Sequence, residues 1–357
     1  MKAQKKYNFE PDYAVPPGET LKEVMESMEM TQKELAVRCE LTVQSLNRIF
    51  KGQQAISYET ANSLELVTDV PASFWNNLEA QYREQLAKLE EHVKLEAEKA
   101  WLKKVPIKEL IERDHISENS DKALMVREVL SFYGVRSVNA WNELWQKPQV
   151  AARRSTCFES YPERTAAWLR MGELKAHKIK CKPFNKLSFT EALNDIRSLT
   201  AKDPDVFVPK IKKMCEQNGV SLVLVPELSR VPWNGATKWL TPDKAMIILS
   251  LRGKREDKFW FTFFHEAGHI LHDSKKDIFI NDGKAEDERE IKADKFASNL
   301  LIPQKYNRLI INSSSDLELK QIAKKLDIST GIVVGRYQFL TKEWSRFNHL
   351  ITKLEWA

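Results

Sequence analysis

Cysteine is scarce in this chain and follows no pattern. Cys39, Cys157, Cys181 and Cys215 are scattered through 357 residues with no C-x-x-C pair. This argues against a disulfide framework or a thiolate metal site and for reduced or buried thiols. No apolar run approaches the length of a membrane span, so no membrane partner is expected. The opening MKAQKKYNFEPDY has lysines but no apolar core behind them. No secretory signal is therefore expected, and the cytoplasm is the default location. Internal repeats and low-complexity tracts are also missing. The charge excess is small, with 56 Lys and Arg against 50 Asp and Glu for a net +6. That permits contact with nucleic acid without establishing it. The length suffices for two or three domains, each with its own core.

Against these absences stands one dense stretch, WFTFFHEAGHILHD, from Trp260 to Asp273. Its His265, Glu266 and His269 form an H-E-x-x-H pattern. On a helix, residues four apart share a face, so both imidazoles can address one ion. Zn2+ suits such a pair, since it takes neutral nitrogen ligands in a tetrahedral shell and a hydrolytic site keeps one position for water. Glu266 can then act as general base without being a ligand. The plainer reading is two partly buried helix histidines beside an exposed glutamate.

The stretch EDEREIKADKFASNLLIP, Glu286 to Pro303, weighs against the plainer reading. Its spacing predicts a second helix with Ala293, Phe296, Ala297, Leu300 and Leu301 on the apolar face. The small Ala293 and Ala297 would let two helices approach closely. Glu290 is a candidate third ligand, although spacing alone leaves Glu286, Glu288 and Glu290 open. Asp294, one turn beyond Glu290, is placed to accept a hydrogen bond from the outer nitrogen of a ligand histidine. HEAGHILH followed by E-x-x-AD-x-FA-x-x-LLIP resembles the ImmA/IrrE family of zinc metallopeptidases over roughly residues 205–310. The resemblance implies Zn2+ held by His265, His269 and Glu290, with Glu266 as base and Asp294 supporting a ligand. Lys292 departs from the acidic residue often found before the Ala-Asp pair.

The amino-terminal part reads as short capped helices. Thr31 precedes a helix with Glu34 in capping-box position, and Thr42 precedes another in which Val43, Leu46, Ile49 and Phe50 can pack. Gln44, Ser45, Asn47 and Arg48 remain outside, and Lys51-Gly52 closes the helix. Two short helices around a tight turn have the form of a helix-turn-helix. In that form Gln44 and Asn47 can read adenine edges, Arg48 can contact guanine or phosphate, and Lys33, Arg38 and Lys51 can hold the backbone. Residues 1–70 are net acidic, with eight basic and eleven acidic side chains, but residues 32–51 reverse the balance to four against two. From MTQKELA through SLNRIFKG to PASFWNNLEAQY the chain resembles Xre-type helix-turn-helix proteins, in particular HigA-type antitoxins. The resemblance implies binding to double-stranded operator DNA through residues 43–48, including Val43, as a homodimer. Glu40 stands where a glycine is common, which predicts a strained turn.

Between these regions, Ser73–Lys104 reads as one long charged helix, a linker or dimerisation element. Shorter helices follow, with Trp141, Trp145 and Trp168 as core residues. Residues 147–186 hold ten basic and three acidic side chains, suited to flanking DNA, an acidic partner or plain solvation. After a boundary at Pro209, IKKMCEQNG reads as a helix, VSLVLVPEL as a strand, and GATKWL with AMIILSLR as a hairpin, giving a three-stranded sheet. DLELKQIAKKLDISTGIVVGRYQ reads as a helical pair packed on the peptidase core. His272, Tyr306, Tyr337 and His349 are chemically able to stabilise an oxyanion. The expected fold is predominantly α with a small β-sheet (α+β). Its domains are a helix-turn-helix bundle over 1–72, the long helix over 73–104, a helical region over 105–204, a zincin-like domain over 205–310 and a helical extension over 311–357.

These readings combine into a DNA-binding, antitoxin-like regulator. Its zinc endopeptidase domain would hydrolyse a peptide bond in a regulatory protein partner, and the expected protein partner is a substrate or a cognate toxin or repressor. The rival reading is a non-catalytic repressor whose metal-site domain serves as sensor or scaffold.

Overall fold

Local chemistry sets the helix starts of the amino-terminal region. In the computed structural model, which describes residues 12–146, 161–231, 233–274, 278–281 and 288–356, that region contains α1 (Pro17–Ser27), α2 (Gln32–Arg38), α3 (Val43–Phe50), α4 (Tyr58–Thr68) and α5 (Ala72–Glu98). Thr31, Thr42 and Ser57 each accept a hydrogen bond from the backbone N–H three residues on, at Glu34, Ser45 and Thr60. The expected box at Thr31 is only half formed. Glu34 turns to the Arg38 guanidinium at 2.6 Å, because a charged partner one turn away is stronger than an exposed N–H. Glu40, between α2 and α3, takes the left-handed φ of +56° that the missing glycine predicted.

Leu21, Leu35, Leu46, Ile49, Leu64 and Trp75 close the core of this region. Val43, expected to pack, is 38% exposed instead. The first turns of α5 belong to the same packing: Trp75 is fully buried, and the Glu79 carboxylate accepts from the Ile56 N–H at 3.1 Å and pairs with Arg83 at 2.6 Å. The expected helix through Lys104 ends at Glu98, and Lys99–Lys103 tighten into a 3-10 turn. By contact, the chain forms two units, Met1–Lys99 with Asn119–Val126, and Ala100–Glu118 with Arg127–Ala357.

The second region continues with α6 (Ile107–Glu112), α7 (Lys122–Tyr133), α8 (Val138–Trp141), α9 (Pro162–Lys178), α10 (Lys186–Ser198) and α11 (Pro204–Gln217). Trp141, Trp145 and Trp168 are buried, as their spacing suggested. Pro209 lies inside α11 and marks no boundary. The buried stripe Phe207, Ile211, Cys215 runs past it, so burial on one face offsets the one missing N–H.

The sheet has four strands where three were expected: β1 (Val220–Leu224), β2 (Gly235–Thr241), β3 (Lys244–Leu249) and β4 (Ile278–Asn281), in the order β1-β3-β2-β4. β1 runs parallel to β3, and β2 is antiparallel to both β3 and β4. The β2–β3 pair is the hairpin read from GATKWL and AMIILSLR. The pleat sends alternate residues of β2 to opposite faces. Thr237 meets α12 (Glu256–His272), while its neighbour Lys238 pairs with Glu173 of α9.

α12 is thus held against the sheet on one side. On another it packs against α13 (Glu288–Leu301), and beyond this follow α14 (Asn307–Ile311), α15 (Asp316–Leu326) and α16 (Thr330–Thr341). The helix α16 leans on the start of α12, where a side chain at Gly331 would overlap Glu256 and one at Gly335 would overlap Asp257. The chain end joins them: Glu256 N–H donates to the Thr352 carbonyl at 3.1 Å, and Thr352 N–H donates to the Glu256 carboxylate at 2.8 Å. The C-terminal helices therefore pack on the core, as expected.

Gly268 permits a close approach of α12 to α13. A Cβ there would sit 3.1 Å from Phe296 and 3.3 Å from the Cα of Ala293. Gly268→Val is expected to destabilise the fold by about 1–3 kcal/mol through overpacking. Thermal denaturation reads this as a lowered midpoint, and an unchanged one would refute the tight contact.

Candidate metal centre and nucleic-acid interface

The helix α12 buries His265, Glu266 and His269 to 1%, 0% and 2% exposure. One turn apart, the two imidazoles point their Nε2 atoms at each other across 3.0 Å. Glu290, from the first turn of α13, brings Oε2 to 3.0 Å from His265 Nε2 and Oε1 to 3.3 Å from His269 Nε2. Of the three acidic candidates, Glu290 alone joins the histidines in the metal-competent cluster found among the described residues. Glu288 is exposed, and Glu286 lies outside the described residues.

The outer ring nitrogens are also engaged. His265 Nδ1 lies 2.8 Å from Asp294 Oδ1, as the one-turn spacing suggested. His269 Nδ1 lies 2.7 Å from Asp273 Oδ2, a partner not expected from the sequence although it stands four residues on along the same helix face. A carboxylate on each Nδ1 favours the proton there and leaves the Nε2 lone pair directed inward. Two such lone pairs facing each other repel unless a cation or a proton lies between them. The site is therefore chemically fitted to a metal ion, and the residues that would hold it are His265, His269 and Glu290.

Electrostatics agree. Burial alone would lower both imidazole pKa values. Hydrogen bonds from His265 to Asp294 and Glu290, and from His269 to Asp273 and Glu290, outweigh it and raise both. Burial likewise raises Glu290, but its hydrogen bonds to the two rings prevail and hold it down at about 2. Glu266 moves the other way. Burial pushes it up to about 7 against the opposing pull of His265 and His269.

Glu266 finds its hydrogen-bond partner on the sheet. Its Oε2 accepts from Thr237 Oγ1 at 2.7 Å, and the same hydroxyl lies 3.1 Å from the Glu266 carbonyl. Its Oε1 is buried and, among the described residues, has no hydrogen-bond partner. Gly235 makes room for this arrangement, since a Cβ there would come within 3.0 Å of Glu266 Oε1. Neither Thr237 nor Gly235 is evident from sequence, because their contact with α12 spans some thirty residues and depends on strand register.

The four oxyanion candidates sort differently. Tyr337 is buried in the core and donates to Glu343 at 2.7 Å, and His349 pairs with Asp316 at 2.7 Å. Tyr306 lies under Lys305 and Lys325, and His272 is exposed with its ring edge on Phe296.

In the amino-terminal unit, α3 leaves Gln44, Asn47 and Arg48 exposed together with Val43, and Lys33 and Lys51 are exposed nearby in the chain. Arg38 is exposed but paired with Glu34. Ser45 is half-buried and accepts from Gln54 Nε2 at 2.6 Å. The structure thus gathers most of the expected reading face and ties Ser45 to a residue beyond the helix.

Comparison with known families decides the assignment of both regions. Residues 21–75 match the family described as helix-turn-helix, and residues 223–337 match the one described as IrrE N-terminal-like domain. The chain carries both domains. The IrrE-like match runs from the end of β1 through most of α16 and includes every residue of the metal-competent cluster. No curated protein matches the chain. The helix-turn-helix domain supports DNA binding, and among the described residues no helix is long and apolar enough to cross a membrane.

Proposed function

We propose that this chain is a cytoplasmic DNA-binding regulator whose IrrE-like domain is a zinc endopeptidase acting on a regulatory protein. The observation that carries the reading is the convergence of the His265, His269 and Glu290 donors beside a buried Glu266 with one unpartnered oxygen. Zn2+, when bound, supplies a Lewis acid that polarises an amide carbonyl and acidifies water. Glu266 Oε1 is the atom that takes the proton, while the Thr237 hydroxyl fixes the other oxygen. Asp294 and Asp273 hold the two rings in the tautomer a metal requires. Phe263, Phe264 and Ala267 of the same helix are buried in the surrounding core.

Operator binding through Lys33, Arg38, Val43, Gln44, Ser45, Asn47, Arg48 and Lys51 as a homodimer belongs to the same proposal, as does an antitoxin-like role toward a cognate toxin or repressor. The test of the peptidase is co-expression of metal-replete wild type and Glu266→Gln with cellular proteins, followed by identification of new termini. Termini present with wild type and missing with the variant support it. Identical termini with both would leave the domain as a sensor or scaffold.

Two further outcomes follow. The ligand imidazoles are raised in the metal-free protein, so a metal must displace protons, and affinity rises with pH. Competition with a chromogenic chelator is expected to show about 10- to 100-fold weaker zinc binding at pH 6 than at pH 7, for one or two protons displaced. A flat profile would remove the histidines as ligands. In the other domain, Lys33→Ala is expected to weaken DNA binding for all sequences and lower the salt slope by about 1, while Asn47→Ala relaxes sequence preference at about 1–3 kcal/mol. Binding assays across salt, on operator and random duplexes, separate the two.

A further inference from the structure

The charge of the chain is divided against its domain assignment. The unit holding the helix-turn-helix carries 13 Lys and Arg against 18 Asp and Glu, and the unit holding the IrrE-like domain carries 43 against 32. The whole cationic excess therefore lies outside the domain that reads DNA.

Part of it is concentrated. From Leu174 to Lys186 the chain reads LKAHKIKCKPFNK, five lysines with no acidic residue. This covers the end of α9 and the loop that follows, and the loop is tied to the end of α11 by the Lys182 N–H on the Glu216 carbonyl at 3.0 Å. The carbonyls at the end of β1 and just after it draw further cations alongside. Arg113 donates to Pro226 and Glu227 at 2.9 and 2.8 Å, and Lys175 donates to Leu224 at 3.3 Å. These bonds go to neutral carbonyls, so they fix the heads without neutralising them. Burial and then the charges of Arg113 and Lys212 push the Lys175 ammonium down, and burial with Lys175, Arg113 and Lys178 does the same to His115. Asp114 acts on His115 and Glu216 on Cys181, and Glu227 adjoins Arg113 through its carbonyl, so the acidic groups here do not outnumber the cations.

Crowded cations with few counter-charges are costly for a free surface and suit a partner with repeating negative charge. We infer that Arg113, Lys175, Lys178 and Lys212 form a second, sequence-independent site for the phosphate backbone of duplex DNA. This rests on the DNA-binding reading of the chain, since a regulator already delivered to duplex DNA is surrounded by phosphate. An acidic peptide is the competing occupant.

The test uses the full chain and a labelled random-sequence duplex, with the dissociation constant measured across sodium chloride concentration. K175Q/K178Q/K212Q is expected to lower the slope of log affinity against log salt by about 2 to 3, at about 0.9 for each phosphate no longer neutralised. A matched control, K320Q/K324Q/K325Q on α15, keeps the wild-type slope. Gln44→Ala with Asn47→Ala reports on the other domain. It loses sequence preference while the slope change caused by the triple variant persists, so failure of the helix-turn-helix reading and failure of this site are told apart. An unchanged slope in the triple variant overturns the inference. So does an equal loss in the control, or a triple variant that binds duplex normally but no longer binds polyglutamate.

Discussion

Glu266→Gln is expected to keep its zinc and lose about 10^2- to 10^4-fold in the rate of peptide hydrolysis, the range assigned to a positioned general base. The change is nearly isosteric. The Thr237 hydroxyl can still donate to the amide oxygen, and the three metal-competent donors are untouched. What disappears is the proton acceptor at Oε1, so metal content and fold should survive while turnover does not. Single-turnover cleavage of a substrate identified by its new termini measures the effect, with zinc content measured on the same samples. A rate within a fewfold of wild type would exclude Glu266 as the base.

The same substitution has a second signature in the metal-free protein. Folding raises Glu266 from its ordinary 4.5 to about 7, so the stability it contributes is full below about pH 4.5 and is lost as pH climbs toward 7. The loss is on the order of 3 kcal/mol. Glutamine cannot ionise, so the variant should be more stable than wild type at pH 8 and little different at pH 4.5. Chelator-treated samples followed by thermal denaturation at both pH values check the sign.

The parts of this site that sequence makes legible are those that a helix generates by itself. A four-residue spacing on one face is enough to place His265 with His269 and Glu290 with Asp294. By the same logic Asp273 is equally visible, since it stands four residues beyond His269, yet its place at the end of the stretch gives it no role until the ring contact is seen. Thr237 and Gly235 are of another kind. Nothing in GATKWL distinguishes the residue that meets Glu266 from its neighbours until the register with β3 and the side facing α12 are known. β4 escapes for a related reason: four residues among charged neighbours carry too little alternation to mark a strand, and pairing with β2 supplies what they lack. Pro209 misleads in the opposite direction, a local breaker overruled by a buried stripe. On the DNA-reading side, capping residues locate α2 and α3 correctly, but the exposure of Val43 and the tie between Ser45 and Gln54 require the packed unit.

Glu290→Ala should weaken the metal site more than the loss of either supporting carboxylate, and the size of the difference is what matters. Losing one of three protein ligands is expected to weaken zinc about 10^2- to 10^3-fold, on the scale of a few kcal/mol per ligand in sites of known binding energy. Asp294→Asn and Asp273→Asn touch only the outer ring nitrogens and should cost about 10- to 100-fold. Linkage turns this order into melting temperatures. At free zinc about a thousandfold above its dissociation constant, the wild type gains about 4 kcal/mol, which for a unit of this size is roughly 10 °C. Glu290→Ala should keep only about 0.4–1.4 kcal/mol of that gain at the same zinc, and the two asparagine variants should fall between. If the cluster were only a packed set of ion pairs, Glu290→Ala would lower the melting temperature equally with zinc and with chelator, and the asparagine variants would show no zinc dependence. The zinc-dependent increment, more than the absolute midpoint, separates a ligand from a structural ion pair, because it cancels whatever Glu290 contributes to the metal-free fold.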